Sequence, residues 1–275
     1  MLLLLALFPA ACAEQPAADA PALSLYAINV RKADALLLRC GSTAYLIDTG
    51  TKKSADQVLK VLAEEGVTYL DGIILTHTHS DHAGGLKALL DSGLGIGKLY
   101  ASRWYTKEEG KHPIEKALKK NENRAGLETV WLSAGDTLPL DGGTLEVVGP
   151  LAESDVENCN SLVLLASGGG GTMLLTGDME FPEENTLLSA GLIPEVDVLK
   201  VANHGEEDAT GADLIRACRP KAAVISTNTQ DEPDTPHRRV LRLLAQWNVA
   251  VYQTQDASNG VLLTLENGEI RAEMK

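Results

Sequence analysis

Three imidazoles and one carboxylate crowd into six residues of the stretch Thr76-His77-Thr78-His79-Ser80-Asp81-His82-Ala83-Gly84-Gly85, which follows the apolar run Gly72-Ile73-Ile74-Leu75. So many lone pairs and charges enter a folded interior only with a strong compensating partner, and a metal ion is the natural one. Imidazole suits zinc, copper, iron and nickel, with carboxylate as the harder companion. A short loop leaving a strand end can point alternate side chains at one centre. The chain holds only six His in 275 residues, so three of them at H-x-H-x-D-H spacing are a poor match to chance.

The loop resembles the signature of the metallo-β-lactamase superfamily, and the family's other motifs stand in order along the chain. Asp48-Thr49-Gly50 after Tyr45-Leu46-Ile47 looks like the first motif, and Leu174-Leu175-Thr176-Gly177-Asp178 like the one carrying the metal-bridging carboxylate. The resemblance runs from about Leu23 to the C-terminus and implies an α/β (α+β) fold, the four-layer αββα sandwich, with the site where loops from both sheets meet. It also implies a ligand set: His77 and His79 on the first metal, Asp81 and His82 on the second, Asp178 bridging, and His204 completing the second. Where most relatives place a third His for the first metal, this chain reads Glu157-Asn158-Cys159-Asn160-Ser161-Leu162-Val163. Asn158 or Asn160 is then the replacement.

That replacement, together with Leu-Leu-Thr-Gly-Asp-Met-Glu, Val-Leu-Lys-Val-x-x-His-Gly, Ala-Val-Ile-Ser-Thr-Asn and Pro236-His237, resembles the metallo-β-lactamase-like domain of ComEC-type competence proteins. Two positions depart from that subgroup: Asn203-His204-Gly205 replaces its His-His-Gly, and Thr235-Pro236 replaces its His-Pro. The resemblance implies one or two divalent ions, zinc first and manganese second, with the amide oxygen holding the first metal more weakly. Asp81 or Asp178 would orient the attacking water and carry its proton. Asp48 would hold a ligand His in its tautomer, or cap its own turn. Asn203 and His237 are candidate substrate contacts, His237 alternatively an ordinary helix N-terminal residue.

Three functions fit. One is phosphodiester hydrolysis of DNA or RNA. Another is hydrolysis of a different ester, lactone, amide or phosphocholine-type substrate, a β-lactam being disfavoured by the weak first site. The last is a non-catalytic binding module on the same fold. The formal net charge of −14 counts against an extended nucleic-acid surface.

The positioning elements are legible in outline. Residues 1–13 read as a signal peptide without a positive n-region, or less readily a lipoprotein leader ending at Cys12; residues 14–22 read as a flexible spacer, and 23–275 as the hydrolase domain. The expectation is export or attachment at the cell surface, or a cytoplasmic protein if the leader does not function; no apolar run reaches spanning length. Oligomeric state is not legible. Removing the leader leaves Cys40, Cys159 and Cys218, with no disulfide framework; Cys40 and Cys218 read as small hydrophobes and Cys159 as a remote metal-ligand candidate. Strands are expected at Leu23–Val30, Ala35–Cys40, Thr43–Asp48, Ile73–Thr76 and Thr129–Leu132, and helices at Ala55–Glu65, Leu86–Leu90 and Ile114–Arg124. His112 reads as an exposed or capping residue. Gly142-Gly143 and Gly168–Gly171 read as hairpin turns, the latter with no following Lys or helix to make a phosphate cradle. The second half repeats the order, with strands at Val198–Ala202, Ala222–Ser226, Val249–Thr254, Val261–Leu265 and Glu269–Glu273 and helices at Ala212–Ala217 and Arg238–Gln246.

Overall fold

The computed structural model describes residues 20–108, 110–124 and 126–275. The leader read at 1–13 and most of the spacer at 14–22 lie outside the described residues.

The first half opens with an antiparallel meander, β1 (Leu23–Ile28), β2 (Leu36–Cys40) and β3 (Thr43–Ile47). Helix α1 (Ala55–Glu64) carries the chain back so that β4 (Tyr69–Leu75) pairs parallel to β3, Tyr45 opposite Gly72. The short helices α2 (Ser80–Ala83) and α3 (Leu86–Asp91) follow, then β5 (Gly95–Ser102), α4 (Pro113–Lys119) and β6 (Thr129–Leu132), both strands again parallel.

The second half repeats this plan. Hairpins β7 (Thr137–Leu140) with β8 (Gly143–Gly149), and β9 (Val163–Gly168) with β10 (Gly171–Leu175), are antiparallel. Helices α5 (Phe181–Ser189), α6 (Ala212–Cys218) and α7 (Arg238–Gln246) then alternate with the parallel strands β11 (Val198–Lys200), β12 (Ala222–Ile225) and β13 (Ala250–Gln253). The last hairpin, β14 (Gly260–Glu266) and β15 (Glu269–Met274), returns to the free edge of β1. The sheets run β15-β14-β1-β2-β3-β4-β5-β6 and β13-β12-β11-β10-β9-β8-β7.

Three apolar clusters account for four layers. Leu25, Leu38, Ile47, Ile74, Val147, Leu164, Leu175, Val198 and Val224 fill the space between the sheets. Val58, Leu62, Leu86, Leu89 and Ile114 seal one sheet under its helices, and Leu187, Leu214, Ile215, Val240 and Leu244 seal the other. Strands covered on both faces read as near-continuous apolar runs, which is why these segments do not alternate. The result is the αββα sandwich that the resemblance implies.

Some boundaries differ from the sequence reading. The helix expected over Ile114–Arg124 stops at Lys119 and resumes as a tight turn at Glu122–Arg124. There Asn121 donates to Asp91 Oδ1 at 2.8 Å, and Arg124 donates to the carbonyls of Leu90 and Leu94, tertiary bonds that replace the helical continuation. His112 is not exposed: it is 1% accessible. It caps α4, Nδ1 accepting from the Ile114 amide at 3.2 Å while Glu115 accepts from the His112 amide, and its burial lowers its pKa to about 4. Helix α5 has no apolar stripe to announce it, because Glu183 and Glu184 are among its buried residues.

Candidate metal centre

Parallel strands bring their C-terminal ends to one edge of each sheet, where side chains from several loops converge. At this edge β3 delivers Asp48, β4 delivers Thr76 to His82, β10 delivers Asp178, and β11 delivers Asn203 and His204. The Leu162 amide donates to the Thr76 carbonyl at 3.0 Å and stitches the two sheets together beneath the site. Gly85 lets the histidine loop press against the Asp48 turn: a Cβ there would lie 2.2 Å from the Thr49 carbonyl oxygen.

Within this edge, Asp81, His82, Asp178 and His204 each offer a ligand atom, all within 4.8 Å of one another. His82 is fully buried, with Nδ1 2.7 Å from Asp48 Oδ2 and Nε2 3.0 Å from Asp178 Oδ2. Asp48 in turn accepts from the Thr76 amide and hydroxyl, at 2.8 and 2.7 Å, so its position is set by β4. His204 Nδ1 donates to the Ser226 carbonyl at 2.9 Å, which turns Nε2 toward Asp81 and Asp178, 3.5 Å from each. To achieve this, Asn203 and His204 take φ of 46° and 53°. Two successive left-handed residues cost roughly 1–3 kcal/mol each and persist where surrounding packing holds them. His77 Nε2 lies 3.9 Å from Asp178 Oδ2, and the exposed His79 ring packs edge-on against His77 at 4.7 Å between centroids, on the rim.

The electrostatics call for cations. Burial opposes charge on His82 and His204, yet the neighbouring carboxylates, Asp178 foremost, raise the first well above its ordinary value and the second to about 9. Asp178 is itself driven well below the carboxylate range, burial being outweighed by His82 and His204. For His77, burial together with the neighbouring His82 outweighs the pull of Asp178, and its pKa falls to about 3, so it stays neutral. Buried atoms without a hydrogen-bond partner include His77 Nε2, His204 Nε2, Asp178 Oδ1 and Asn158 Oδ1. Orphaned nitrogen and oxygen donors converging on one region fit divalent metal ions, which would replace the protons that hold the carboxylates together.

Residues 28–229 match the family described as the metallo-beta-lactamase superfamily. The chain belongs to the metallo-β-lactamase superfamily. It is 31% identical over 206 residues to ComE operon protein 3 of Bacillus subtilis, covering 74% of this chain and 26% of that protein. Recombination protein 2 of Haemophilus influenzae is 26% identical over 240 residues, covering 85% and 28%. Competence protein ComA of Neisseria gonorrhoeae is 26% identical over 241 residues, covering 86% and 32%. The chain therefore spans about a quarter to a third of the length of these relatives. Among solved structures, the metallo-beta-lactamase fold protein YhfI of Bacillus subtilis superposes with a TM-score of 0.57 at 15% identity, over 89% of this chain and 99% of that one. A diphosphatase from the PhnP family gives 0.54 at 15% identity, over 88% and 97%. At such identities these likenesses speak for the metallo-β-lactamase fold alone.

Between the two asparagines considered for the third ligand, the structure distinguishes sharply. Asn160 spends its amide on Ser154, accepting from its nitrogen and donating to its carbonyl at 2.9 Å each. Asn158 donates Nδ2 to Glu180 Oε1 at 2.7 Å and keeps Oδ1 buried and free. Cys159 is buried and belongs to none of the ligand groups among the described residues. Asn203, read as a substrate contact, is 6% exposed and donates to Asp208 Oδ1 at 3.2 Å, which places it in the support of its loop. His237 is half-buried before α7 and belongs to none of the ligand groups among the described residues, with Nε2 3.8 Å from Glu207.

Three supporting residues escaped the sequence reading. Glu157 accepts from the amide and hydroxyl of Thr78 and from the amide and hydroxyl of Thr106, pinning the histidine loop to the chain after β5. Lys200 and Asp34 form a fully buried ion pair at 2.8 Å, with Asp34 4.0 Å from His82. The available signal was a charge set inside apolar surroundings, Lys200 in Val198–Ala202 and Asp34 between Ala33 and Ala35.

Proposed function

We propose that this superfamily hydrolase cleaves phosphodiester bonds of nucleic acid with divalent metal, zinc first and manganese second. The observation that carries the reading is the set of buried, unpartnered donor atoms on His77, Asn158, Asp178 and His204, beside Asp81 and His82. The imidazole-rich ligand set favours zinc. The substrate class is supported by relatives whose names speak of competence and recombination.

A divalent metal bound here would polarise a phosphoryl oxygen and acidify water. The chain's own groups do the rest. Asp48 and the Ser226 carbonyl hold the Nδ1 atoms of His82 and His204, presenting both Nε2 atoms to the centre. Asp81, with its side chain 31% accessible, stands at the mouth and is placed to take a proton from incoming water. Buried Asp178 lies between His77, His82 and His204, and its charge fixes where positive charge accumulates.

The test is cleavage of end-labelled single-stranded DNA by the full chain supplied with zinc or manganese, beside Asp81→Asn. Cleavage that vanishes in the variant supports the reading. Metal binding without cleavage of DNA or RNA refutes it and moves the substrate to another ester class.

A further inference from the structure

An unclaimed cavity lies outside the metal cluster, between the start of α5, the start of α6 and the outer face of α7. Its volume is about 670 Å³, and Phe181, Gly211, His237, Arg238, Arg239 and Arg242 are among its lining. A space of this size suits a nucleotide-sized ligand. The lining is unusual for a chain with a net charge of −14. Several guanidiniums elsewhere are paired with acids, Arg31 with Asp231, Arg216 with Asp213, Arg219 with Glu195 and Arg271 with Glu266. Arg238 and Arg242, one helical turn apart on α7 and exposed, have no acidic partner among the described residues.

The rest of the wall is built. Arg239 donates to the carbonyls of Glu207, Ala209 and Thr210, which ties α7 to the loop before α6, and stacks 5.3 Å over the Phe181 ring. Its Nε is buried with no partner, as is His237 Nδ1. The nearest opposing carboxylate to His237 is Glu207, 3.8 Å from Nε2. Glu184 is committed to the Gly211 amide.

Both walls continue directly into the metal loops. Phe181 stands three residues after Asp178, and its amide donates to the Asp208 carbonyl at 2.9 Å, the residue that also holds Asn203. The His237 amide donates to the Gly205 carbonyl at 2.8 Å, immediately after His204. A strand whose scissile linkage sits at the metal cluster therefore has a positively charged cavity on the adjoining surface. Without such a patch, the acidic surface repels a polyanion.

Resting on the phosphodiesterase reading, we infer that this cavity is a nucleotide subsite in which Arg238 and Arg242 bind a backbone phosphate other than the one cleaved. Phe181 and the stem of Arg239 supply apolar surface for the attached sugar or base.

The test compares the full chain with Arg238→Gln/Arg242→Gln and with Lys119→Gln/Lys120→Gln, a control that removes the same charge from the opposite helical layer. Binding of a fluorescent single-stranded oligonucleotide to metal-free protein is followed by anisotropy across a salt series, and hydrolysis of bis(p-nitrophenyl) phosphate reports the centre alone. The expected result for the arginine variant is at least tenfold weaker oligonucleotide binding, with the salt slope reduced by about 0.7 for the one lost phosphate neutralisation. Small-diester hydrolysis stays unchanged, and the lysine control binds as wild type. Oligonucleotide affinity and salt slope equal to wild type in the arginine variant overturn the subsite, as does equal weakening in the lysine control. A wild type that binds no oligonucleotide overturns it too. If wild type binds through the arginines yet cleaves no nucleic acid, the subsite stands and the phosphodiesterase reading falls. If wild type cleaves and the arginine variant cleaves with the same KM, the reverse holds.

Discussion

Replacing Lys200 with Met tests whether the charge beneath the metal centre is a supporting pair. Lys200 Nζ lies 2.8 Å from Asp34 Oδ2, so the direct attraction is about 6 kcal/mol at an effective dielectric of about 20. Desolvation of both groups offsets much of it, so the pair as a whole adds little against apolar replacements. Removing one partner differs, because Asp34 is 0% exposed and keeps only the more distant imidazoles of His204 and His82, the latter at 4.0 Å. Met preserves most of the packed stem. Lys200→Met is expected to lose about 3–5 kcal/mol, and Asp34→Asn/Lys200→Met to recover most of that. The assay is urea unfolding of metal-free protein followed by circular dichroism, with the m-value checked for constancy. A loss below about 1 kcal/mol for the single variant, or a double variant as unstable as the single, would refute the uncompensated-charge argument.

Asn158→Ala should weaken metal binding by at least about tenfold by calorimetric titration and cost about 1–2 kcal/mol of metal-free stability through the lost Glu180 bond, whereas Asn160→Ala should lose about 1–3 kcal/mol of stability with metal binding intact; metal binding weakened by the second variant and not by the first would reverse their assignment. Asp48→Asn should lower metal affinity about 10–100-fold, because the His82 Nδ1 contact at 2.7 Å loses its anionic acceptor; unchanged affinity in the same titration would remove Asp48 from the support of the site. His79→Ala should abolish DNA cleavage with an unchanged melting temperature, since the ring is exposed; retained turnover counts against its role. Glu183 is 6% exposed, and burial raises its carboxyl to about 7. Its folded value lies above its unfolded one, so the native state holds the proton more tightly, and stability falls as pH rises from about 4.5 through about 7. Glu183→Gln should therefore be near-neutral at about pH 4 and stabilising by about 3 kcal/mol at about pH 8; equal midpoints at both pH values in urea unfolding would contradict the burial argument.

The order of strands and helices was legible because it rests on local pattern, whereas the four-layer arrangement was implied by the family resemblance. Apolar runs too short for helices marked the strands, Gly142-Gly143 and Gly168–Gly171 marked hairpins, and the strand, loop, helix order repeated in both halves. Boundaries slipped where tertiary bonds intervened. Asn121 and Arg124 ended a helix that periodicity would have continued, and α5 buries Glu183 and Glu184 where a stripe of Leu was needed to see it. For His112 the cap was among the readings but its burial was not, because an aromatic contact with Trp131 is silent in one dimension.

The sequence alone determined the family's motifs and which side chains are chemically able to hold a metal, since donor type and spacing along a loop are local properties. Only the tertiary structure decided which of those donors are left without partners. Asn158 and Asn160 are the same amide two residues apart, yet Ser154 satisfies one and leaves the other's oxygen buried and free. Lys200 and Asp34 are separated by most of the chain and become a single buried pair. Arg238 and Arg242 lie within one helix expected from the sequence, and only the packing of α5 and α6 beside α7 makes them part of a cavity wall. Partnering depends on desolvation and on distances between residues far apart in sequence, and those exist only once the two sheets have packed.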